Sequence, residues 1–199
     1  LLVPLFYRKS RAIIANSADV KDDLLDLGLR GDKAKIKVIG NPIAVNYGAH
    51  KEIKKPKPGS EPVVRIVSIG RLHEQKGYDL ALKALDVLSE RVPNLVYEIY
   101  GEGKLEKKLL TASENLKVKV NIRPPQNDLS QIFGNARVFL LTSQWEGFGN
   151  VVVEAMGHGI TPVVVDCPGG PKDIVGSHFG FVSERDSEIL ADQIFAALN

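Results

Sequence analysis

Residues 138–165 read VFLLTSQWEGFGNVVVEAMGHGITPVVV. Two short apolar runs, Val138 to Leu141 and Thr161 to Val165, enclose a helical segment from Asn150 to Gly157 that is entered through Gly147 and Gly149. Apolar runs this short, bounded by turn residues, predict strands buried on both faces. A strand, a helix and a second strand in that order predict a right-handed crossover between parallel neighbours. The pattern extends outward in both directions. Further strands are expected at Ala12 to Ala15, Val63 to Ile69, Leu95 to Tyr100 and Lys117 to Asn121. Helical spacing recurs over Tyr78 to Arg91 (Leu80, Leu82, Leu85, Leu88), Lys104 to Glu114, Leu129 to Asn135 and Asp186 to Leu198. Strands alternating with helices predict an α/β fold with a doubly wound parallel sheet, Rossmann-like in plan.

One stretch breaks the alternation. Residues 46–62 carry a Lys run with Pro56, Pro58, Gly59 and Pro62, a composition that forms extended linkers rather than cores. The part before it holds a strand, a helix with Ser17 as N-cap and Gly28 just past its end, and a second short strand from Lys35 to Ile39 closed by Asn41-Pro42. That is too little for a sheet of its own. Residues 1–45 therefore read as the tail of one α/β domain, 46–62 as an interdomain linker, and 63–199 as nearly all of a second domain.

Composition narrows the function classes. With 44% hydrophobic and 25% charged residues among 199, the chain has the material for a sizeable core. The single cysteine, Cys167, excludes an internal disulfide and a Cys-based metal cluster. The net charge of +2 comes largely from local runs, KEIKKPK (Lys51 to Lys57) and KLEKK (Lys104 to Lys108). With few aromatics beside them, these read as solvated faces rather than a nucleic-acid groove. No apolar run approaches the roughly 18 residues a membrane-spanning helix needs. The opening LLVPLFYRKS lacks an initiator Met and the layout of a signal peptide, so the chain is expected to be a piece of something longer.

In an open parallel sheet, ligands collect at the carboxyl ends of the strands. After Val63 to Ile69 comes Gly70-Arg71-Leu72-His73-Glu74-Gln75-Lys76-Gly77, which offers a guanidinium and an ammonium between glycines. That is either a clamp for a diphosphate or a flexible surface turn. After Leu95 to Tyr100 comes Gly101-Glu102-Gly103, a weak phosphate motif by itself and more simply a turn. The first strand is not followed by GxGxxG, which argues against a nicotinamide dinucleotide. The most informative loop is Trp145-Glu146-Gly147-Phe148-Gly149-Asn150, running into a helix whose free N–H groups and positive dipole end suit an anion. Glu154 falls in the apolar run VVVEAM, where an ionised carboxylate needs donors such as ribose hydroxyls. Alternatively Glu154 is a solvated helical residue, or Glu146 and Glu154 form the acid/base pair of a glycosidase, about 5–10 Å apart.

The loop Asp166-Cys167-Pro168-Gly169-Gly170-Pro171-Lys172-Asp173 would wall the same cleft. Cys167 reads as a packed thiol, because no His is placed to activate it. His73, His158 and His178 show no metal-ligand spacing, and His158 sits as a turn residue between two glycines.

Taken together, GRLHEQKG, then GEG, then WEGFGNVVVEAMGHGITPVVV resemble the C-terminal, donor-binding half of the family 4 (group 1) retaining glycosyltransferases of GT-B fold. Glu146 and Glu154 fit that family's E-x7-E pattern, and SADVKDDLLDLGLRGDKAKIKVIGNPI is similar to the end of its N-terminal domain. The resemblance implies that Arg71 and Lys76 contact the diphosphate of a nucleotide sugar, with Gly70 and Gly101 letting the backbone approach. It implies that Gly147, Phe148, Gly149, Asn150 and Val151 hold the diphosphate or the sugar through backbone amides, that Glu146 orients the sugar, and that Glu154 binds the ribose. The loop Arg123-Pro124-Pro125-Gln126 would lie at the base. Catalytic roles would fall to Glu146, Arg71 and Lys76.

The likeness of the Asp166 to Pro171 loop to members that build bacterial or archaeal glycans suggests a uridine-diphosphate sugar, and a hexosyl or N-acetylhexosaminyl transfer. Such enzymes need no metal or other cofactor, in keeping with the lack of an Asp-x-Asp motif. The acceptor, a glycan or a lipid-linked molecule, would be bound by the N-terminal domain that this chain lacks, so the chain alone is expected to turn over no acceptor. A cytoplasmic location is expected, at the inner membrane face where peripheral contact occurs, although Leu1 to Phe6 with Arg8, Lys9 and Arg11 read more simply as a core helix cut at its start. No nucleic-acid partner is expected. A GT-B epimerase or phosphorylase relative, and a regulatory module that binds a nucleotide sugar, remain as alternatives.

Overall fold

The computed structural model describes residues 3–7, 9–29, 35–43 and 63–199. The linker expected at 46–62 lies outside them, as do Leu1, Leu2 and Arg8 of the opening segment. The described elements begin with α1 (Val3–Tyr7), β1 (Ile13–Ala15), α2 (Ala18–Leu24), a π-turn over Leu25–Leu29, and β2 (Ile36–Val38). After the gap come β3 (Val64–Ile69), a 3-10 turn (Glu74–Lys76), α3 (Tyr78–Ser89), β4 (Leu95–Tyr100), α4 (Glu106–Ser113) and β5 (Lys119–Arg123). The rest of the chain is α5 (Leu129–Phe133), β6 (Val138–Leu141), α6 (Asn150–Gly157), β7 (Thr161–Val165), α7 (Pro171–Val175), β8 (Phe181–Ser183) and α8 (Ser187–Leu198).

The six-stranded sheet is parallel throughout and ordered β5-β4-β3-β6-β7-β8. Because side chains alternate along a strand, Val138 and Leu140 of β6 pack on one face of the sheet with Leu82, Leu85 and Leu88 of α3 and Leu190 and Ile194 of α8. Phe139 and Leu141 pack on the other face with Phe133 of α5, Val152 and Ala155 of α6 and Val175 of α7. Both faces are covered, and that is why β6 is apolar at every position. Each fully buried Leu, Ile or Phe contributes about 1.5–3 kcal/mol over leaving it in water.

A separate two-stranded sheet pairs β1 with β2 in parallel, Ile13 against Ile36 and Ala15 against Val38. Ser17 caps α2 as its spacing predicts, its hydroxyl accepting from Val20 N at 3.2 Å. Gly28 supplies the positive φ of 106° that ends this helical run. The opening segment forms a helix, α1, whose Leu5 and Phe6 are 63% and 72% exposed among the described residues. The third strand of the large sheet is offset from its expected span, ending at Arg123 rather than Asn121. Two short elements were not expected, α7 and β8.

The strand order creates the crevice. β3 and β6 are neighbours, yet α3 leaves β3 for one face of the sheet and α6 leaves β6 for the other. The loops after these two strands therefore part from each other at the carboxyl edge, which is where this class of sheet binds ligands.

Candidate functional site

Loop 70–77, after β3, and loop 142–149, after β6, are laced together by hydrogen bonds. Gln144 N donates to Gln75 O at 2.7 Å, Gln75 Nε2 to Trp145 O at 2.8 Å, Gln144 Nε2 to Glu74 O at 3.0 Å, and Thr142 Oγ1 to Lys76 O at 2.9 Å. This lacing brings Lys76 and Glu146 into an ion pair, Nζ to Oε1 at 2.6 Å, with the two side chains only 14% and 12% exposed. Ser143 Oγ donates to the same carboxylate oxygen at 2.6 Å. Arg71 lies on the same loop as Lys76 and is exposed, so its guanidinium can reach an anionic ligand from solvent.

The glycines of this edge are dictated by close approach. A Cβ on Gly101 would sit 1.9 Å from Gly70 O, and one on Gly70 would meet Cε of Lys76 at 2.9 Å. Tyr78 OH donates to that same Gly70 carbonyl at 3.0 Å. Burial, then the Glu146 charge, raises the Tyr78 phenol well above its usual range, so it stays a neutral donor. The strand ends step across the sheet, Gly70 N donating to Tyr100 O at 3.0 Å and Gly101 N to Arg123 O at 2.9 Å.

α6 begins after Gly149, whose φ is 93°, and no side chain among the described residues caps its first N–H groups. Val152 N already donates to Gly149 O at 2.9 Å, while the N–H groups of Asn150 and Val151 have no partner among the described residues and can meet an anion. Glu154, one turn in, is half-buried and has no side-chain hydrogen bond among the described residues. Burial raises its carboxyl above the ordinary range, partly offset by the His158 imidazole a turn further on. A carboxyl raised on folding holds its proton more tightly in the native chain than in the unfolded one. Stability therefore falls as pH rises from the ordinary carboxylate value through the raised one, and stays reduced above it. Glu154→Gln is expected to unfold at a higher urea concentration than the unsubstituted chain at pH 7, the gap closing below about pH 4. Urea midpoints across that range check it, and a Gln variant weaker at pH 7 would mean the carboxylate already has donors.

Arg123 closes β5, with its guanidinium 3.8 Å from the buried carboxylate of Glu98 and its side chain half exposed. Glu98 is held mainly by Arg65 Nη1 at 3.1 Å and Tyr100 OH at 3.1 Å. Pro125 and Gln126 are exposed, and no side-chain hydrogen bond among the described residues ties them to the Lys76–Glu146 pair. Cys167 is 8% exposed, and burial, then the Glu146 charge, pushes its thiol up to about 11. A cavity of about 530 Å³ opens beside the site, between α2 and the loop after β7, and is walled by Asp19, Asp22, Asp23, Asp166 and Asp173. Arg71, Lys76, Glu146 and Glu154 do not line it.

Several residues of the site escaped the sequence. Ser143 could have been suspected from the hydroxyl pair Thr142-Ser143 that ends a buried strand, since both are buried polar groups that must find partners. Arg185, which donates to the carbonyls of Thr142 and Ser143 from beyond β8, gave no signal in the turn-like stretch SERD. Nor did Asp19 and Asn41, which reach the site from the first 43 residues: Asp19 Oδ2 accepts from Gly169 N at 2.5 Å, and Asn41 Nδ2 donates to Asn150 Oδ1 at 2.9 Å.

Residues 50–199 match the family described as Glycosyl transferases group 1. The chain belongs to that family. An uncharacterized glycosyltransferase of Haemophilus influenzae is 34% identical over 125 residues, 61% of this chain and 35% of its own length. The lipopolysaccharide core biosynthesis glycosyltransferase LpsE of Rhizobium meliloti is 29% identical over 170 residues, 84% of this chain and 47% of its own. The chain thus spans between a third and a half of these relatives. Among solved structures, Anabaena HepE in complex with UDP-glucose superposes on 99% of this chain and 56% of its own with a TM-score of 0.79, a likeness of fold at 23% identity. Membership of group 1 accounts for the doubly wound sheet, which these GT-B transferases share. No helix among the described residues is long and apolar enough to cross a membrane.

Proposed function

We propose that this chain carries the nucleotide-sugar site of a retaining group 1 glycosyltransferase that takes a UDP-sugar as donor. The observation behind this is that loop 70–77, which carries Arg71 and Lys76, is laced at the switch point of the sheet to the loop that runs into the start of α6, with Lys76 paired to Glu146 of that second loop. HepE, the Anabaena protein of like fold, was crystallised in complex with UDP-glucose, which supports the choice of uridine.

In transfer, the bond from the anomeric carbon to the diphosphate oxygen breaks and its electron pair leaves with the diphosphate. An acceptor hydroxyl oxygen bonds to that carbon on the same face, and its proton passes to the departing diphosphate oxygen. Arg71, Lys76 and the N–H groups of α6 would meet the charge growing on the departing diphosphate, so the reaction as proposed needs no metal. Glu146, fixed by Lys76 and Ser143 through one oxygen, keeps the other for hydroxyls of the sugar. Glu154 would take the ribose hydroxyls as its donors. Residues 1–45 would be the end of an acceptor-binding domain and 46–62 the linker, with a glycan or a lipid-linked molecule as acceptor.

Thermal unfolding with UDP, GDP, ADP and NAD tests the donor class. UDP at about 100 times its dissociation constant is expected to stabilise the chain by roughly 2.7 kcal/mol. Stabilisation by GDP or ADP instead would overturn the choice of base, and by none of the four the donor site itself.

A further inference from the structure

Two loops that would surround the donor are held by the first 43 residues of the chain. Gly40 lies against Phe148: a Cβ there would be 3.0 Å from Cε2 of the ring. Asp19 takes the Gly169 amide at 2.5 Å, and Asn41 Nδ2 donates to Asn150 Oδ1 at 2.9 Å. Asn41 is well placed to do this. The ladder from β2 continues through Ile39 N, which donates to Ala15 O at 2.9 Å, and Pro42 restricts Asn41 to an extended backbone.

We infer that Asn41 is a positioning residue that sets which end of the Asn150 amide faces the diphosphate. Asn150 is the first residue of α6, and a carboxamide has an acceptor end and a donor end whose orientation follows its hydrogen-bond partners. With Oδ1 engaged by the Asn41 donor, Nδ2 of Asn150 is turned the other way, with two N–H groups and no protein partner among the described residues. At a site built for an anion, a donor is the useful end. A carboxylate at position 41 cannot donate. It would draw Nδ2 of Asn150 to itself and leave Oδ1 facing the phosphate oxygens. The pair is exposed, and a bond of this kind adds little to stability, so its loss is felt in binding rather than folding.

This role rests on the donor-site proposal above, and the test separates the two. UDP and uridine are titrated by NMR into the unsubstituted chain, Asn41→Asp and Asn41→Ala, with thermal unfolding of each alongside. Asn41→Ala, which removes the donor and adds no charge, is expected to weaken UDP severalfold, and Asn41→Asp about tenfold or more, its carboxylate repelling the diphosphate as well as turning the Asn150 amide. Uridine, lacking the diphosphate, should bind all three alike. If UDP binds the unsubstituted chain and Asn41→Ala equally, or if uridine weakens in step with UDP, Asn41 does not position Asn150. If UDP fails to bind the unsubstituted chain, the donor site and this role fall together.

Discussion

Lys76→Ala is expected to lower the stability of the chain by about 2–4 kcal/mol and to weaken UDP binding by about 10–100-fold. The stability loss follows from what is left behind. Among the described residues Glu146 would keep only the Ser143 hydroxyl as a partner for a carboxylate 12% exposed, and breaking a buried pair from one side costs about 3–5 kcal/mol. The residual exposure of both side chains brings the figure down. The binding loss follows from removing one of two cations proposed for the diphosphate, at about 1.5–3 kcal/mol for a hydrogen bond to a charged group. Lys76→Met separates charge from packing, since it keeps the stem over Gly70 and removes the ammonium, and it is expected to show both losses. Urea unfolding and UDP titration of both variants check this. A Lys76→Ala chain as stable as the parent would mean that the ion pair is solvated.

Gly101→Ala is expected to cost about 3 kcal/mol or more and to abolish the nucleotide response. Its new Cβ would meet Gly70 O at 1.9 Å and Gly70 C at 2.9 Å, both backbone atoms that cannot swing aside. Overpacking against flexible side chains costs about 1–3 kcal/mol, and here the ends of β3 and β4 must part instead. Gly70 opens the loop that carries Arg71 and Lys76, so the displacement reaches the site directly. Gly147→Ala is the control for stability: its Cβ would find Asn16 Nδ2 at an ordinary 3.6 Å, and a change within about 0.5 kcal/mol is expected. For a chain of this length a loss of about 3 kcal/mol lowers Tm by roughly 6–12 °C.

Most of the fold was legible because the central strands are buried on both faces. β4, β6 and β7 lie where their apolar runs put them, and α6 spans the expected Asn150–Gly157. β5 was harder. Its residues alternate, KVNIR with an exposed-to-intermediate pattern, so neither end is marked by hydrophobicity, and only Pro124 could have set its close. β8 has three residues and α7 five, too short for any period to show. The N-terminal Pro171 is the one local mark of α7.

At the site, individual residues were legible and their connections were not. Loops after parallel strands are where chemistry collects, so Arg71, Lys76 and Glu146 could be singled out as candidates from position, and Glu154 as a carboxylate inside the apolar run VVVEAM. Lys76 and Glu146 were read in separate roles, one on phosphate and one on sugar. They are 70 residues apart in the chain, and their pairing follows from β3 lying beside β6, which no local pattern encodes. The same holds for Asn41 and Asn150, 109 residues apart.

The donor site is tested most directly by calorimetric titration of UDP into the unsubstituted chain, Arg71→Ala and Glu154→Ala. Saturable one-site binding is expected in the first, weakened about tenfold or more in each variant, the loss of one charged contact. Equal binding in all three, or none in the unsubstituted chain, would contradict a nucleotide-sugar site built on these residues.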